Sequence, residues 1–488
     1  MVEVLKTEEL GEVKKYLEST FFNTNRRCVQ LYEQLCKFHP NMEGDKLTKE
    51  RLYAKVFGKV PYDDGKMRKL MTQLSQLIER YLVIKQLDKS EDVTAKLLIK
   101  SLGDRNDYEL FKTAAEGRIN FLEKQPLRGK DYYRETHLLN EMLYYHPETE
   151  KLTKGNDYLR RAVQSFEQYF TLLSLQNAAD IMVRNRLVGT EIPIQYLEAI
   201  NTVAIEAGFT GEVTIKFSYQ LLQLYLGLEA VDLEALKSLA FLAFGKMSKY
   251  EQSFAISSLR NYATPKLNVG SLPHAKFVFE LFKFEIQNEL LILGQNYLNS
   301  ATYMNIVTTG LLVNEIEWVR QFIKDYSLLL SPDERDVATN ICSGFWHYSN
   351  GILNDDLGEF YTSLQSYNLV PTRIGVKYEL RVRPAILRSH FEIFKRGKEP
   401  IDELLQHVRN FERHIIANDF YAEPTKKQYL IFLKYFKKLS KLYVNPNLKP
   451  AIVNQYLILL ESEQSIIFKR WLKENGKELL NQSKPLAI

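Results

Sequence analysis

Cysteine is nearly absent: three residues in 488, at positions 28, 36 and 342. Three thiols cannot form a disulfide framework. Cys28 and Cys36 are eight apart on one expected helix, roughly 12 Å along its axis, which is beyond disulfide reach. All three are expected to be reduced core residues of a cytoplasmic chain. Glycine (22) and proline (15) are also sparse, too sparse for an all-β protein built on tight turns. No apolar run, such as Leu239–Phe244 or Leu290–Leu293, approaches the ~20 residues of a membrane span. Met1–Leu17 is rich in Lys and Glu and has no apolar signal region.

The familiar catalytic and cofactor strings are missing too. The eight histidines are scattered, with no Cys-x-x-Cys or His-Glu-x-x-His. His407 and His414 share a helix face roughly 10 Å apart, too far for one zinc whose ligands lie about 2 Å from it. Phosphate-cradling glycine loops and a Gly-x-Ser-x-Gly elbow are likewise absent. Asp63-Asp64-Gly65 and Asn354-Asp355-Asp356 read more economically as helix caps than as acid/base pairs. No catalytic residue, cofactor or metal ligand is therefore assigned; an enzyme with an unrecognised site stays open as an alternative.

What is present is ample material for a helical core: 45% apolar and 12% aromatic residues, chiefly Tyr (29) and Phe (27). Apolar residues recur at i, i+3, i+4 and i+7, and sustained alternation is scarce. Val29, Leu31, Tyr32, Leu35 and Phe38 form one stripe; Leu70, Leu74, Leu77, Ile78 and Tyr81 form another. Helices are expected at 107–124, 131–145, 157–187, 194–207, 213–228, 232–245, 248–262 and 273–293. The series continues at 300–310, 315–329, 333–349, 355–365, 376–396, 401–417, 425–443 and 449–474, with Pro384 a kink or a late start. Asn156-Asp157, Gly208-Phe209-Thr210-Gly211, Ser331-Pro332-Asp333 and Glu423-Pro424-Thr425 supply turn and cap chemistry. The aromatic stripes (Phe277, Phe279, Phe282, Phe284; Tyr132, Tyr133, Tyr144, Tyr145) read as core.

One internal echo is visible. Gly310-Leu311-Leu312-Val313-Asn314-Glu315-Ile316 returns 41 positions later as Gly351-Ile352-Leu353-Asn354-Asp355-Asp356-Leu357. Each copy is expected to end a helix at its glycine and to cap the next with Asn or Asp. A single helical hairpin cannot bury its own apolar face, so stacked neighbours must supply the core. The expected fold is an all-α helical-repeat α-solenoid with degenerate repeats.

The stretch 300–364, with Gly310, Trp318-Val319-Arg320-Gln321-Phe322, Asp333–Ser349 and Gly351–Leu364, resembles tetratricopeptide (TPR) arrays. It is most similar to TPR-like bacterial proteins of the Bacteroidetes type, over most of residues 90–488. The strict consensus is not met, since no Trp-x-x-Leu-Gly-x-x-Tyr string occurs. The resemblance implies a helical-hairpin fold and a protein-binding habit, and no site.

Two segments carry candidate contacts. Residues 1–90 form an N-terminal helical segment, with 91–488 as the array. Within the first, Leu47–Gly58 and Lys66–Leu82 flank a turn through Pro61 and resemble the helix-turn-helix head of bacterial activators. Lys66, Arg68, Lys69 and Gln73 would then meet nucleic acid. The plainer alternative is the opening helical pair of the array. The second segment is the C-terminal end: residues 424–488 hold 12 Lys/Arg against 4 Glu, while residues 1–423 hold 53 basic against 56 acidic. On Lys426–Val444, Tyr429, Phe432, Leu433, Phe436, Leu439 and Tyr443 fall within an arc of roughly 120°. Lys434, Lys437, Lys438 and Lys441 occupy a separate arc, and Lys469, Arg470, Lys473 and Lys477 extend the basic character. These lysines are candidate contacts for an anionic or protein partner, or simply a solvated face. The sequence thus points to a non-enzymatic scaffold binding a protein or peptide. A nucleic-acid-associated regulator is the alternative.

Overall fold

The computed structural model describes residues 1–482 apart from 45–46, 106, 151–156, 189–190, 195, 207–210, 228–230, 269, 372–374 and 447. Asn156 and Gly208-Phe209-Thr210, named above as turn residues, lie outside the described residues. Among those described there are twenty-three α-helices and no strand, with one isolated bridge between Leu298 and Leu330. The fold is all-α, as the periodicity requires. No described helix is long and apolar enough to cross a membrane.

The chain divides into two compact units, Met1–Gln125 with Thr136–Val163, and Pro126–Glu135 with Gln164–Ile488. In the first, the helices Leu10–Glu18, Arg26–Cys36, Lys49–Phe57 and Asp64–Asp88 enclose a core that includes Val13, Leu31, Tyr32, Tyr53, Met67 and Ile78. Leu10–Glu18 was not anticipated: its Lys- and Glu-rich lettering hides two buried anchors, Val13 and Leu17. The cap expected at Asp63 holds, and Thr48 supplies a second. Thr48 accepts the Arg51 N–H at 3.4 Å and Asp63 accepts the Lys66 N–H at 2.9 Å. Cys28 is buried without a partner thiol, and burial pushes its thiol up to about 11.

The second unit repeats. Five of its helices, Val213–Leu226, Lys249–Asn268, Ser300–Leu312, Pro332–Asn354 and Val376–Lys395, each lead into a partner helix. The partners are Leu233–Ala243, Leu272–Gln287, Ile316–Tyr326, Leu357–Asn368 and Ile401–Ala417. Each pair packs as a hairpin and lies against the next. Every first helix is followed by a left-handed residue: Gly227, Gly270, Asn314, Asp355 and Gly397. Their positions give intervals of 43, 44, 41 and 42 residues. At four of them the next N–H reaches back five residues along the chain: Ser271 to Lys266 O, Glu315 to Gly310 O, Asp356 to Gly351 O and Lys398 to Ile393 O, at 3.0–3.1 Å. This is the Schellman closure, which satisfies carbonyls a helix end otherwise leaves unpaired. Glu289 is also left-handed, but it closes a second helix, off the period.

The echo therefore marks a real repeat, with two corrections. In the first copy Glu315, not an Asn or Asp, stands at the N-cap of Ile316–Tyr326 and gives it no side-chain cap, whereas Asp356 caps Leu357–Asn368 as expected. Gly310 and Gly351 do not end their helices, which run on to Leu312 and Asn354. The left-handed residues are Asn314 and Asp355, a conformation that Asn and Asp tolerate better than most side chains. The glycines are needed for close helix approach. A Cβ on Gly310 would lie 2.5 Å from Val319 Cγ2, and one on Gly351 3.0 Å from the Phe360 ring. Val319 and Phe360 are themselves 41 apart. Replacing Asn314 by the β-branched Val is expected to cost about 1–2 kcal/mol, and by Gly about 0.5 kcal/mol or less. Urea midpoints for the two variants check this.

Several boundaries also moved, among them the ends of Lys249–Asn268, Leu272–Gln287 and Pro332–Asn354. The helix expected over 449–474 is two, Pro450–Ser462 and Lys469–Gln482, separated at the left-handed Phe468. The helix expected from 355 begins at Leu357, because Asp356 caps it by accepting the Gly358 N–H at 2.8 Å. Pro384 sits inside the continuous helix Val376–Lys395. Proline cannot donate to the carbonyl of Leu380, four residues back; the Tyr429 hydroxyl donates to it instead, at 3.0 Å.

Candidate binding face

The helix Glu423–Tyr443 starts with proline in its first turn, where a missing N–H costs nothing. Its inner face buries Phe432, Leu433, Phe436 and Leu439. Phe436 stacks on Trp471 with centroids 5.6 Å apart and meets Phe391 edge-on at 5.4 Å. This packing fixes the rotation of the helix. Lys427, Leu430, Ile431, Lys434, Lys438 and Lys441 then fall within roughly 100° on the opposite side. Leu430 and Ile431 are half-buried and the four lysines are exposed. Together with Ile416 and Pro424, Leu430 and Ile431 line a groove that Lys427 and Lys434 flank.

Not every expected lysine belongs to this face. Lys437 is held by Glu412 at 2.5 Å, and Lys426 pairs with Glu423 at 3.1 Å. Lys438 lies 5.6 Å from the Tyr435 ring centroid. Lys427, Lys434, Lys438 and Lys441 form no ion pair among the described residues. The positions in the last helix serve the fold: Lys469 Nζ donates to the carbonyls of Glu461 and Glu463 at 2.7 and 2.9 Å. Arg470 pairs with Glu474 at 2.7 Å and Lys473 with Glu461 at 3.0 Å. The Lys473 ammonium holds the Glu461 carboxyl below its usual range. Lys477 is exposed.

At the N-terminal candidate, the helix Asp64–Asp88 buries Met67, Leu70, Leu74, Leu77, Ile78 and Tyr81 and packs on its four neighbours in the unit. Lys66 lies 3.5 Å from Asp63, and Arg68 2.7 Å from Asp64. The Gln73 side-chain carbonyl accepts from the Asn25 amide at 2.8 Å. Of the three basic residues, only Lys69 is exposed with no ion pair among the described residues. The four residues share a helix, but acids of its own first turn offset two of them.

The structure also brings together a group that sequence reading missed. His407 meets His390 rather than His414, the two rings stacking with centroids 3.9 Å apart. Glu399, on the turn between their helices, bonds to His390. His414 Nε2 instead lies 2.7 Å from Glu379, which also accepts the Tyr421 hydroxyl at 2.7 Å. Burial alone would raise the Glu379 carboxyl; the bonds from Tyr421 and His414 outweigh it and hold it low. Only the Gly397 turn hints at the cluster, since the spacings 390, 399 and 407 match no ligand motif.

Comparison of the chain with protein-family profiles, with curated proteins and with solved structures returns no match.

Proposed function

We propose that this protein is a non-enzymatic interaction scaffold whose helix Glu423–Tyr443 receives an acidic protein segment on its outward face. The observation that carries the proposal is the face itself. Four lysines without acidic partners among the described residues surround Leu430 and Ile431, over about 21 Å from Lys427 to Lys441 at the helical rise. Unpaired cations at this density favour a complementary anionic surface, and the aliphatic strip favours a partner with apolar side chains. A phosphate backbone would leave that strip uncovered. The face also lacks arginine, the side chain best shaped for bidentate phosphate contact.

The succession of hairpins supports this reading, because helical repeats bind through broad surfaces and need no concentrated chemistry. The TPR-like binding habit belongs to the same proposal. The unit of 41–44 residues is longer than the about 34 of a tetratricopeptide and falls within the about 40–47 of HEAT-type units. Free thiols at Cys28, Cys36 and Cys342 support a reducing, cytoplasmic setting.

A fluorescent helical peptide with Glu and Leu on one face provides the test, read by anisotropy. Binding is expected at low salt and should weaken as ionic strength passes about 0.1 M, where the Debye length is about 10 Å. A Lys-for-Glu version should not bind. Tighter binding of a single-stranded oligonucleotide than of the acidic peptide would transfer the face to nucleic acid and defeat the proposal.

A further inference from the structure

The hairpin formed by Val376–Lys395 and Ile401–Ala417 closes at Gly397, whose φ of +71° turns the chain sharply. The Gly397 N–H bonds to Phe394 O at 2.8 Å and the Lys398 N–H to Ile393 O at 3.1 Å. This closure carries Glu399 back toward the end of the first helix. His390 lies one turn before that end, and His407 lies on the facing side of the second helix. Glu399 Oε2 is 2.8 Å from His390 Nδ1. The Glu399 side chain is only 7% exposed, and its other oxygen, Oε1, is buried with no hydrogen-bond partner. His407 makes no hydrogen bond among the described residues. One nitrogen from each imidazole and one Glu399 oxygen all lie within 4.8 Å of one another.

A buried carboxylate oxygen left unpaired is costly unless something satisfies it. A cation accomplishes that. Ligands about 2.0–2.1 Å from a tetrahedral zinc ion stand about 3.3 Å from one another, so modest side-chain movement closes the cluster onto one ion. Burial, and next the nearby His390, hold the His407 imidazole below its usual value, which keeps it in the neutral form a metal requires.

We propose that His390, Glu399 and His407 bind one divalent ion of the zinc class through two imidazole nitrogens and one carboxylate oxygen, with the remaining position open to water. The donor set is the borderline-soft one that suits zinc or cobalt and ill suits calcium or magnesium, which take oxygen. The ion ties the turn to both helices of one hairpin.

The test is titration of the metal-free full chain with Zn2+ against a chromophoric chelator, together with the visible spectrum of the Co2+ form. One equivalent of ion is expected to bind, and the Co2+ form should show intense bands of a four-coordinate site. His407→Ala is expected to weaken binding at least about tenfold and to abolish those bands. Glu399→Gln keeps the shape and hydrogen bonding of the turn and should likewise weaken binding, so a folding defect in one variant does not decide the matter. His347→Ala, at a separate His–Glu pair, should change nothing. Absence of stoichiometric binding, or equal binding by wild type and both site variants, would overturn the proposal.

Discussion

Replacing Arg260 by Met is expected to destabilise the second unit by about 3–5 kcal/mol, because it strands a buried carboxylate. Arg260 on Lys249–Asn268 pairs with Glu285 on Leu272–Gln287, whose side chain is 7% exposed. The guanidinium also lies 4.9 Å from the Phe282 ring centroid. Burial pushes the Glu285 carboxyl above its ordinary 4.5, and Arg260 opposes that push. Without Arg260 the carboxyl rises further. A carboxyl with a raised folded-state pKa binds protons more tightly when folded, so stability falls as pH climbs from the unfolded value through the folded one. The variant's deficit should therefore be small in acid and full at neutral pH. Arg260→Met combined with Glu285→Leu removes both charges and should recover stability to within about 1 kcal/mol of wild type. Urea unfolding at pH 5 and pH 7.5 measures both effects; equal deficits at the two pH values would contradict the stranded carboxylate.

The second large effect concerns glycine as a packing residue. A Cβ on Gly344 would lie 2.2 Å from the ring of Tyr367, which is 3% exposed and cannot swing into solvent. Gly344→Ala is expected to cost about 1–3 kcal/mol by overpacking, against the helix propensity alanine gains. Gly117 is the opposite case: it is exposed inside Tyr108–Lys124, and nothing lies within 4 Å of its Cβ position. Gly117→Ala should stabilise by about 0.5–1 kcal/mol. Opposite shifts in thermal midpoint for one substitution type would show that spacing between helices, not helix propensity, holds glycine at 344. Gly344→Ala in a Tyr367→Leu background should lose less than in wild type, since the ring that clashes is gone.

The helices were legible because burying one face imposes a period on the letters. The repeat was legible only at Gly310 and Gly351. Its physical requirement is a left-handed residue after each first helix, which Gly227, Gly270, Asn314, Asp355 and Gly397 meet with three different residue types. The carbonyls that the Schellman bonds use belong to Lys266, Gly310, Gly351 and Ile393, so geometry repeats where spelling does not. The lysine face was legible as an arc. Which of its members are free was not, because Glu412 lies on another helix and neutralises Lys437. Lys427 was missed for the converse reason: its role rests on the groove beside it. The histidine cluster depends on a turn that brings positions 390 and 407 together. Helical periodicity instead pointed to 407 and 414.

Charge reversal at separate places measures the central claim most directly. Lys427→Glu, Lys434→Glu, Lys438→Glu and Lys441→Glu alter exposed positions without touching the packed face of Glu423–Tyr443. Lys66→Glu, Arg68→Glu and Lys69→Glu make a comparable change on Asp64–Asp88. With the acidic peptide titrated at low salt, the first set is expected to abolish binding and the second to leave it within about twofold of wild type, since exposed charges outside the face contribute little to it. Undiminished binding after reversal of the four C-terminal lysines, with helicity retained by circular dichroism, would contradict the account.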